Sequence, residues 1–133
     1  MIYEKIYLKD HYSVLQNSDA YIEIIAYDKS PEYPEGYKRY PMLVVPGGGY
    51  DFVSDREKLP SAFAFLAHGF NCVTLNYSCK TAYPIPYIEV ACTLDFIHKN
   101  AEKYGFDRLY PIQIILGLTE IIEIFVESFI FMI

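Results

Sequence analysis

The sequence predicts an α/β fold, a three-layer α/β/α sandwich around a mostly parallel sheet. Short apolar runs typical of strands alternate with segments of helical periodicity, and a glycine ends each helical segment, at Gly69 and Gly105. Strands that alternate with helices run mostly parallel, and the helices cover both faces of the sheet. The predicted order is three strands, a helix, a strand, a helix and a strand, and the length of 133 residues fits one domain.

The first three predicted strands lie in the first third of the chain. Residues 1–8 and 20–27 are rich in Ile and Tyr and are predicted to pair as an antiparallel hairpin at the edge of the sheet. Residues 28–41 contain three prolines and one glycine, which indicates a loop. Residues 42–45 form an apolar run before Pro46, as in a strand buried on both faces.

The first helix follows this third strand. Ser54 or Asp55 is the predicted N-cap, because short polar side chains accept hydrogen bonds from the first helical N–H groups. Pro60 is tolerated only in the first turn, so the regular helix is predicted to begin near Leu59 and to stop at Gly69.

The second half repeats the alternation. Residues 71–77 read as a buried strand, and residues 112–116 as a further one. Residues 86–104 have apolar positions at helical spacing and end at Gly105.

Composition excludes several functional classes. The net charge is −6 and no Lys/Arg cluster is present, so nucleic acid is not an expected partner. The N-terminus lacks the apolar core of a signal peptide, and the three cysteines have no metal spacing, so we expect a cytoplasmic protein with reduced thiols. The 14 tyrosines are compatible with a sugar-handling cleft, but half-wet positions at sheet edges are the favoured interpretation. The cysteines are Cys72, Cys79 and Cys92, of which the first and last are predicted core residues.

The segment with the most chemical information is the glycine triplet at 47–49, directly after the third strand. Glycines let the backbone approach a ligand closely and adopt positive φ angles, so the loop can direct N–H groups at a developing oxyanion. A plain turn is one alternative. A phosphate-binding loop is another, but the Gly-Lys-Ser/Thr ending and the GxGxxG spacing are both absent from this segment.

The run PGGGYDFVSDREKLPSAFAFLAHGFNCVTLNYS resembles small carboxylesterases and acetylesterases of the α/β-hydrolase family, in the acetyl xylan esterase-like and lipase/esterase-like branch. The resemblance covers residues 20–107. It implies a serine hydrolase of short acyl esters, with acetylated sugars among the candidate substrates, that uses no cofactor and no metal. It also implies that the N–H groups of Gly48 and Gly49 bind the oxyanion, that Gly47 forms the tight turn and that Tyr50 lines the cleft. Pro46 stands where relatives often have His, so the loop must be ordered by other groups.

The nucleophile motif of this family, G-x-S-x-G, is altered in the chain. Thr119 occupies the nucleophile position after Gly117, and Ile121 replaces the second glycine, where a β-branched side chain would crowd the sharp turn. Thr119 is therefore either a weak nucleophile or a residue of an ordinary helix start. The family places the acid and the base after the nucleophile, whereas His11, His68 and His98 all precede Thr119.

Residues 108–133 depart from the family pattern. They are rich in Ile and Phe. Three glutamates, Glu120, Glu123 and Glu127, share one helical stripe, which argues against a membrane span. We interpret this segment as a truncated or frame-shifted continuation of a partial α/β-hydrolase domain.

An exposed sheet edge and an apolar tail predict a homo-oligomer. Because the nucleophile, the acid and the base of the family are missing, we expect this truncated chain to be inactive or very weak as an ester hydrolase. The alternative to an ester hydrolase is a non-catalytic module for binding or assembly.

Overall fold

The computed structural model of the chain describes residues 1–48 and 51–116. The element order is the predicted one, with two short 3-10 helices, Leu8–Asp10 and Ser13–Leu15, added between the first two strands. The strands are β1 (Ile2–Tyr7), β2 (Tyr21–Ala26), β3 (Tyr40–Val45), β4 (Phe70–Asn76) and β5 (Gln113–Leu116), and the helices are α1 (Leu59–Leu66), α2 (Ile85–Lys99) and α3 (Ala101–Tyr104).

The five strands form one mixed sheet in the order β1-β2-β4-β3-β5. Strands β3, β4 and β5 run parallel to one another, while β2 pairs antiparallel with both β1 and β4. The predicted antiparallel hairpin at the edge is confirmed. The carboxyl ends of β3 and β4 therefore lie at the same edge of the sheet, which we call the C-terminal edge; the opposite one is the N-terminal edge.

The helices cover both faces, which confirms the three-layer α/β/α class. Helix α1 packs on a small apolar cluster that includes Ile25, Met42 and Cys72. Helices α2 and α3 pack on a larger cluster, to which alternate residues of the central strands contribute. The alternation follows from the strand geometry, because successive side chains point to opposite faces.

Two element boundaries differ from the prediction. Strand β3 begins at Tyr40, inside the predicted loop, and includes Pro41. Pro41 is tolerated there because it pairs with β4 alone, and the pairing with β5 starts only at Met42. The predicted helix over 86–104 is interrupted at Asn100, whose side-chain amide donates a hydrogen bond to the carbonyl oxygen of Phe96.

The predicted cap of the first helix is wrong. The N-cap position is Lys58, and no side chain caps the helix. Ser54 instead belongs to a preceding turn, in which its carbonyl oxygen accepts the N–H of Glu57. Pro60 lies in the first turn as predicted.

Strand β5 is an edge strand, paired only with β3 within the described residues. The oligomer predicted to form through such an edge stays a prediction, and most of the apolar tail lies outside the described residues. No helix among residues 1–48 and 51–116 has both the length and the apolar character needed to cross a membrane.

Candidate active site

The candidate site lies at the C-terminal edge, where ligands of open α/β sheets usually bind. The loop after β3 begins with Pro46, Gly47 and Gly48, and the chain leaves β4 at Tyr77 and Ser78. Because β3 and β4 are parallel neighbours, these two loops lie side by side.

Gly48 has a backbone conformation that requires glycine. Its φ is +146°, and a Cβ atom built there would lie 1.8 Å from the carbonyl oxygen of Phe52. The carbonyl oxygen of Gly48 accepts the N–H groups of Asp51 at 3.1 Å and Phe52 at 3.4 Å. The chain thus folds back tightly on Gly48, and the close approach of Phe52 excludes any side chain.

Two side chains from distant parts of the sequence order this loop. The hydroxyl of Tyr77 donates to the carbonyl oxygen of Pro46 at 2.7 Å, and the carboxylate of Glu57 accepts the N–H of Gly47 at 2.6 Å. The N–H of Ser54 donates to the carbonyl oxygen of Gly47 at 2.9 Å. These contacts supply the ordering that the resemblance assigned to a histidine, here replaced by Pro46.

Tyr77 is suited to this task because it stays a neutral donor. Its side chain is buried, and burial raises the pKa of the Tyr77 phenol to about 12. The hydroxyl therefore keeps its proton at every physiological pH and can donate to the carbonyl oxygen of Pro46.

A buried ion pair fixes the segment that carries Glu57. The ammonium of Lys58 lies 3.1 Å from Oε1 of Glu23 on β2, and both side chains are buried. Tyr3 on β1 donates its hydroxyl to the other carboxylate oxygen of Glu23. Burial lowers the pKa of Lys58, but the hydrogen bond and the negative charge of Glu23 together raise it by more. The net pKa shift is therefore upward, and Lys58 stays charged.

A buried carboxylate holds the neighbouring loop. Glu89 on α2 accepts the hydroxyls of Ser18 and Ser78, each at 2.6 Å, and the N–H of Ser78 at 2.7 Å. The Glu89 side chain is fully buried, and burial raises the pKa of this carboxyl, while the hydrogen bonds from Ser18 and Ser78 partly offset the rise. Since Ser78 follows Tyr77 directly, Glu89 also fixes the residue that orders Pro46.

The described residues include only part of the predicted site. Gly47 and Gly48 lie in the ordered loop, whereas Gly49, Tyr50 and Thr119 lie outside the described residues. No hydrogen bond within the described part of the chain uses the N–H of Gly48, so this donor is not occupied by a described group. The three histidines are exposed, and the His11 ring packs edge-on against Phe96.

The cysteines are not activated nucleophiles. Cys72 and Cys92 are buried as predicted, and burial raises the pKa of each thiol to about 12. Burial also raises the pKa of Cys79. All three thiols are therefore protonated at neutral pH. Within the two described ranges, no three His, Cys, Asp or Glu side chains are grouped so as to hold a metal ion.

Searches of known proteins place this geometry among hydrolases. No family model matches the chain. An endo-1,4-beta-xylanase B of Butyrivibrio fibrisolvens is 35% identical over 75 residues, which is 53% of this chain and 12% of the xylanase. The solved structure of MGS-M1, an α/β hydrolase enzyme from a deep-sea metagenome library of the Medee basin, is 34% identical with a TM-score of 0.70 and matches 80% of this chain. The carboxylesterase Cest-2923 from Lactobacillus plantarum is 26% identical with a TM-score of 0.65 over 80% of this chain.

The matched regions are partial in the relatives. This chain covers 43% of MGS-M1 and 38% of Cest-2923, so it spans less than half the length of the solved structures that it matches. The described residues have the architecture of the corresponding part of these enzymes. The resemblance to α/β hydrolases of the esterase kind, which the motifs at 46–78 indicated, is thereby confirmed.

Proposed function

We propose that this chain, whose described residues have the α/β-hydrolase fold, supplies the oxyanion-binding loop of a carboxylic-ester hydrolase for short acyl esters. The N–H groups of Gly48 and Gly49 bind the oxyanion of the tetrahedral intermediate. Tyr50 forms part of the wall that faces the acyl or alcohol group. The substrate is an acetyl or other short acyl ester, and acetylated sugars are included.

The proposal rests chiefly on the conformation of Gly48. A φ of +146°, with the carbonyl oxygen of Phe52 at the position of a missing Cβ, means that only glycine can follow this tight path directly after β3. The bonds from Tyr77 and Glu57 hold the two residues before it. A donor that is fixed before the reaction stabilises developing charge without reorganisation, and one such donor contributes roughly 3–4 kcal/mol.

The substrate class is supported by the names of the relatives. One solved relative is a carboxylesterase, and the relative found by sequence is a xylanase. Acetyl groups are common substituents of xylan. An esterase for acetylated sugars would therefore agree both with the carboxylesterase and with the xylanase. Neutral ester substrates also agree with the acidic chain, because a net charge of −6 does not attract anionic substrates.

A chimera tests whether the loop works in ester hydrolysis. Residues 20–107 of this chain replace the corresponding segment of Cest-2923, and hydrolysis of p-nitrophenyl acetate is measured. We expect turnover above buffer, because the host then supplies the rest of the site. Gly48→Ala in the chimera should lower kcat/KM by on the order of 10²-fold, since the added Cβ forces the oxyanion loop to move.

The control in the same chimera is Gly36→Ala, where a Cβ meets nothing within 4 Å and the loop is not part of the site. This variant should retain the kcat/KM of the chimera within about threefold. A chimera that melts cooperatively but has no turnover would contradict the proposal, and so would equal losses in both glycine variants.

A non-catalytic module is the second candidate. It is favoured by the exposure of all three histidines and by an oxyanion loop that is ordered without any of them. On this hypothesis the chain alone binds an ester or a partner but does not turn it over. Hydrolysis of p-nitrophenyl acetate by the 133-residue chain, compared with Thr119→Ala, separates the two. Turnover that disappears in Thr119→Ala would exclude the second candidate.

A further inference from the structure

A tyrosine-lined cleft lies at the N-terminal edge, the edge opposite the candidate active site. Its volume is about 370 Å³, which lies within the range of small-molecule sites. The loop between β2 and β3 forms one wall, and the turn that follows α3 forms another. We call it the tyrosine cleft, and its rings come from Tyr27, Tyr33, Tyr37 and Tyr104.

Two consecutive turns present two of these rings rigidly. The sequence SPEYPEGY places a tyrosine at the last position of each turn, and the N–H groups of Tyr33 and Tyr37 donate to the carbonyl oxygens of Ser30 and Pro34. Gly36 has a φ of +77°, which a type II turn requires at its third residue. The rings of Tyr33 and Tyr37 stack in parallel, 4.6 Å apart at 8°.

A second pair of planar groups in the cleft is also held in place. The guanidinium of Arg39 lies 4.2 Å from the ring centre of Tyr27. Arg39 is held in this position because it donates to the carbonyl oxygens of Phe70 and Leu66. The cleft therefore contains two preorganised pairs of planar groups, although Tyr27, Tyr33 and Tyr37 are each more than 40% exposed.

The charges that line the cleft are nearly balanced. Four cationic and three anionic side chains line it, and Lys38 forms an ion pair with Glu102 at 2.8 Å. Asp28 is paired with the N-terminal ammonium. Such a site gives no strong attraction to an anion, while its carboxylates, ammonium groups and phenol hydroxyls can exchange hydrogen bonds with a neutral polyol.

From these features we infer that the tyrosine cleft binds a neutral carbohydrate, one or two pyranose rings long. A pyranose ring presents a face of C–H groups, which packs on the electron-rich face of a tyrosine, and a rim of hydroxyls, which needs polar partners. The exposed outer faces of the Tyr33–Tyr37 pair supply the first contact, and the balanced charges supply the second. The site is separate from the oxyanion loop and does not depend on the proposed ester hydrolysis.

The test is isothermal titration calorimetry of the whole chain with xylobiose. We expect saturable binding in the millimolar range, and none with sorbitol, an open-chain polyol without a flat ring face. Tyr37→Ala should weaken xylobiose binding about tenfold, whereas Tyr37→Phe should change it by less than about threefold. Tyr110→Ala is the control, because Tyr110 is 48% exposed and does not line the cleft.

Each outcome of this test decides the proposal. No heat with xylobiose up to its solubility limit would overturn it, as would equal binding by the wild-type chain and the Tyr37→Ala variant. Binding of adenosine monophosphate in preference to xylobiose would also overturn it, since the cleft would then select a flat anion. Far-UV circular dichroism of each variant keeps a loss of binding distinct from a loss of folding.

Discussion

The two edges of the sheet carry loops that are ordered in opposite ways. At the C-terminal edge, the loop after β3 is held by side chains far away in the sequence, with Tyr77 and Glu57 bonded to the backbone of Pro46 and Gly47. At the N-terminal edge, the loop before β3 is built from two local turns and a stacked tyrosine pair. The first loop therefore depends on the tertiary fold, whereas the second has most of its order within eight consecutive residues.

This difference gives each edge its own sensitivity. A change at Tyr77 or Glu57 should disturb the oxyanion loop without altering the two turns that carry Tyr33 and Tyr37. A change in the turns should do the reverse. Variants at each edge test that separation.

Lys58→Met should have the largest effect on stability. It leaves the carboxylate of Glu23 buried without its cation, and breaking a buried ion pair in this way costs about 3–5 kcal/mol. Urea denaturation measures the free energy of unfolding. The double variant Glu23→Leu/Lys58→Met should recover a large part of the loss, because no buried charge remains.

The control for this pair is Lys99→Met, which removes a surface ion pair with Asp95 at 2.9 Å. The lysine side chain is 64% exposed, so the cost should stay within about 1 kcal/mol. A cost for Lys58→Met no greater than that for Lys99→Met would contradict the assigned role of the buried pair.

Alanine at two of the positive-φ glycines, one at each edge, compares the edges directly. Gly48→Ala combines an unfavourable φ with a Cβ in the place of the Phe52 oxygen and should cost about 1–3 kcal/mol. Gly36→Ala has the φ penalty alone, about 1 kcal/mol. Amide NMR spectra should show shifts near Asp51 and Phe52 for the first variant and near Tyr33 and Tyr37 for the second. Shifts that spread to both edges in either variant would disprove the separation.

Tyr77→Phe tests the substitute for the missing histidine. The variant keeps the ring in the core but loses the donor to the carbonyl oxygen of Pro46, which should cost about 1 kcal/mol. Tyr37→Phe at the other edge removes an exposed hydroxyl and should leave the free energy of unfolding unchanged within about 0.5 kcal/mol. Thermal melting compares the two, and an equal melting temperature for both variants would contradict the role of Tyr77.

The smallest effect is a pH dependence at Glu89. Burial raises the folded-state pKa of this carboxyl above its unfolded value, so the native state binds the proton more tightly. The resulting stability is fully present below the unfolded pKa and is lost as the pH rises through the folded pKa. Glu89→Gln lacks this loss, so its stability relative to wild type should increase as the pH is raised from the acid range to neutrality. Thermal melts across that window measure it, and a constant difference would contradict the raised pKa.

The sequence predicted the fold from local signals and part of the site from motif resemblance. Three local signals were found as predicted, namely the alternation of strands with helices, Pro60 in the first turn of a helix and the helix end at Gly105. The wrong cap at Ser54 shows the limit of local reasoning, because the N-cap residue Lys58 pairs with Glu23 on β2, a contact that the local sequence does not reveal.

The residues that order the oxyanion loop were missed for the same reason. Tyr77 ends the predicted strand over residues 71–77, and its partner Pro46 lies 31 residues away. Glu57 lies in a polar turn, 10 residues from its partner Gly47. Neither position reveals its partner in the sequence. Glu89 offered a signal, since it is a lone carboxylate beside Ile88 and Val90 on the buried part of a helix. A charged residue on an apolar helix face usually has a buried partner, and Ser18 and Ser78 are the partners here.

Amide NMR with methylphosphonate tests whether the N–H of Gly48 is an oxyanion donor. This anion has the tetrahedral shape and the methyl group of the acetyl-transfer intermediate. We expect a saturable downfield shift of the Gly48 amide proton, while the Gly36 amide at the other edge stays in place. A Gly48 amide that does not move, or a shift of equal size at Gly36, would contradict the claim.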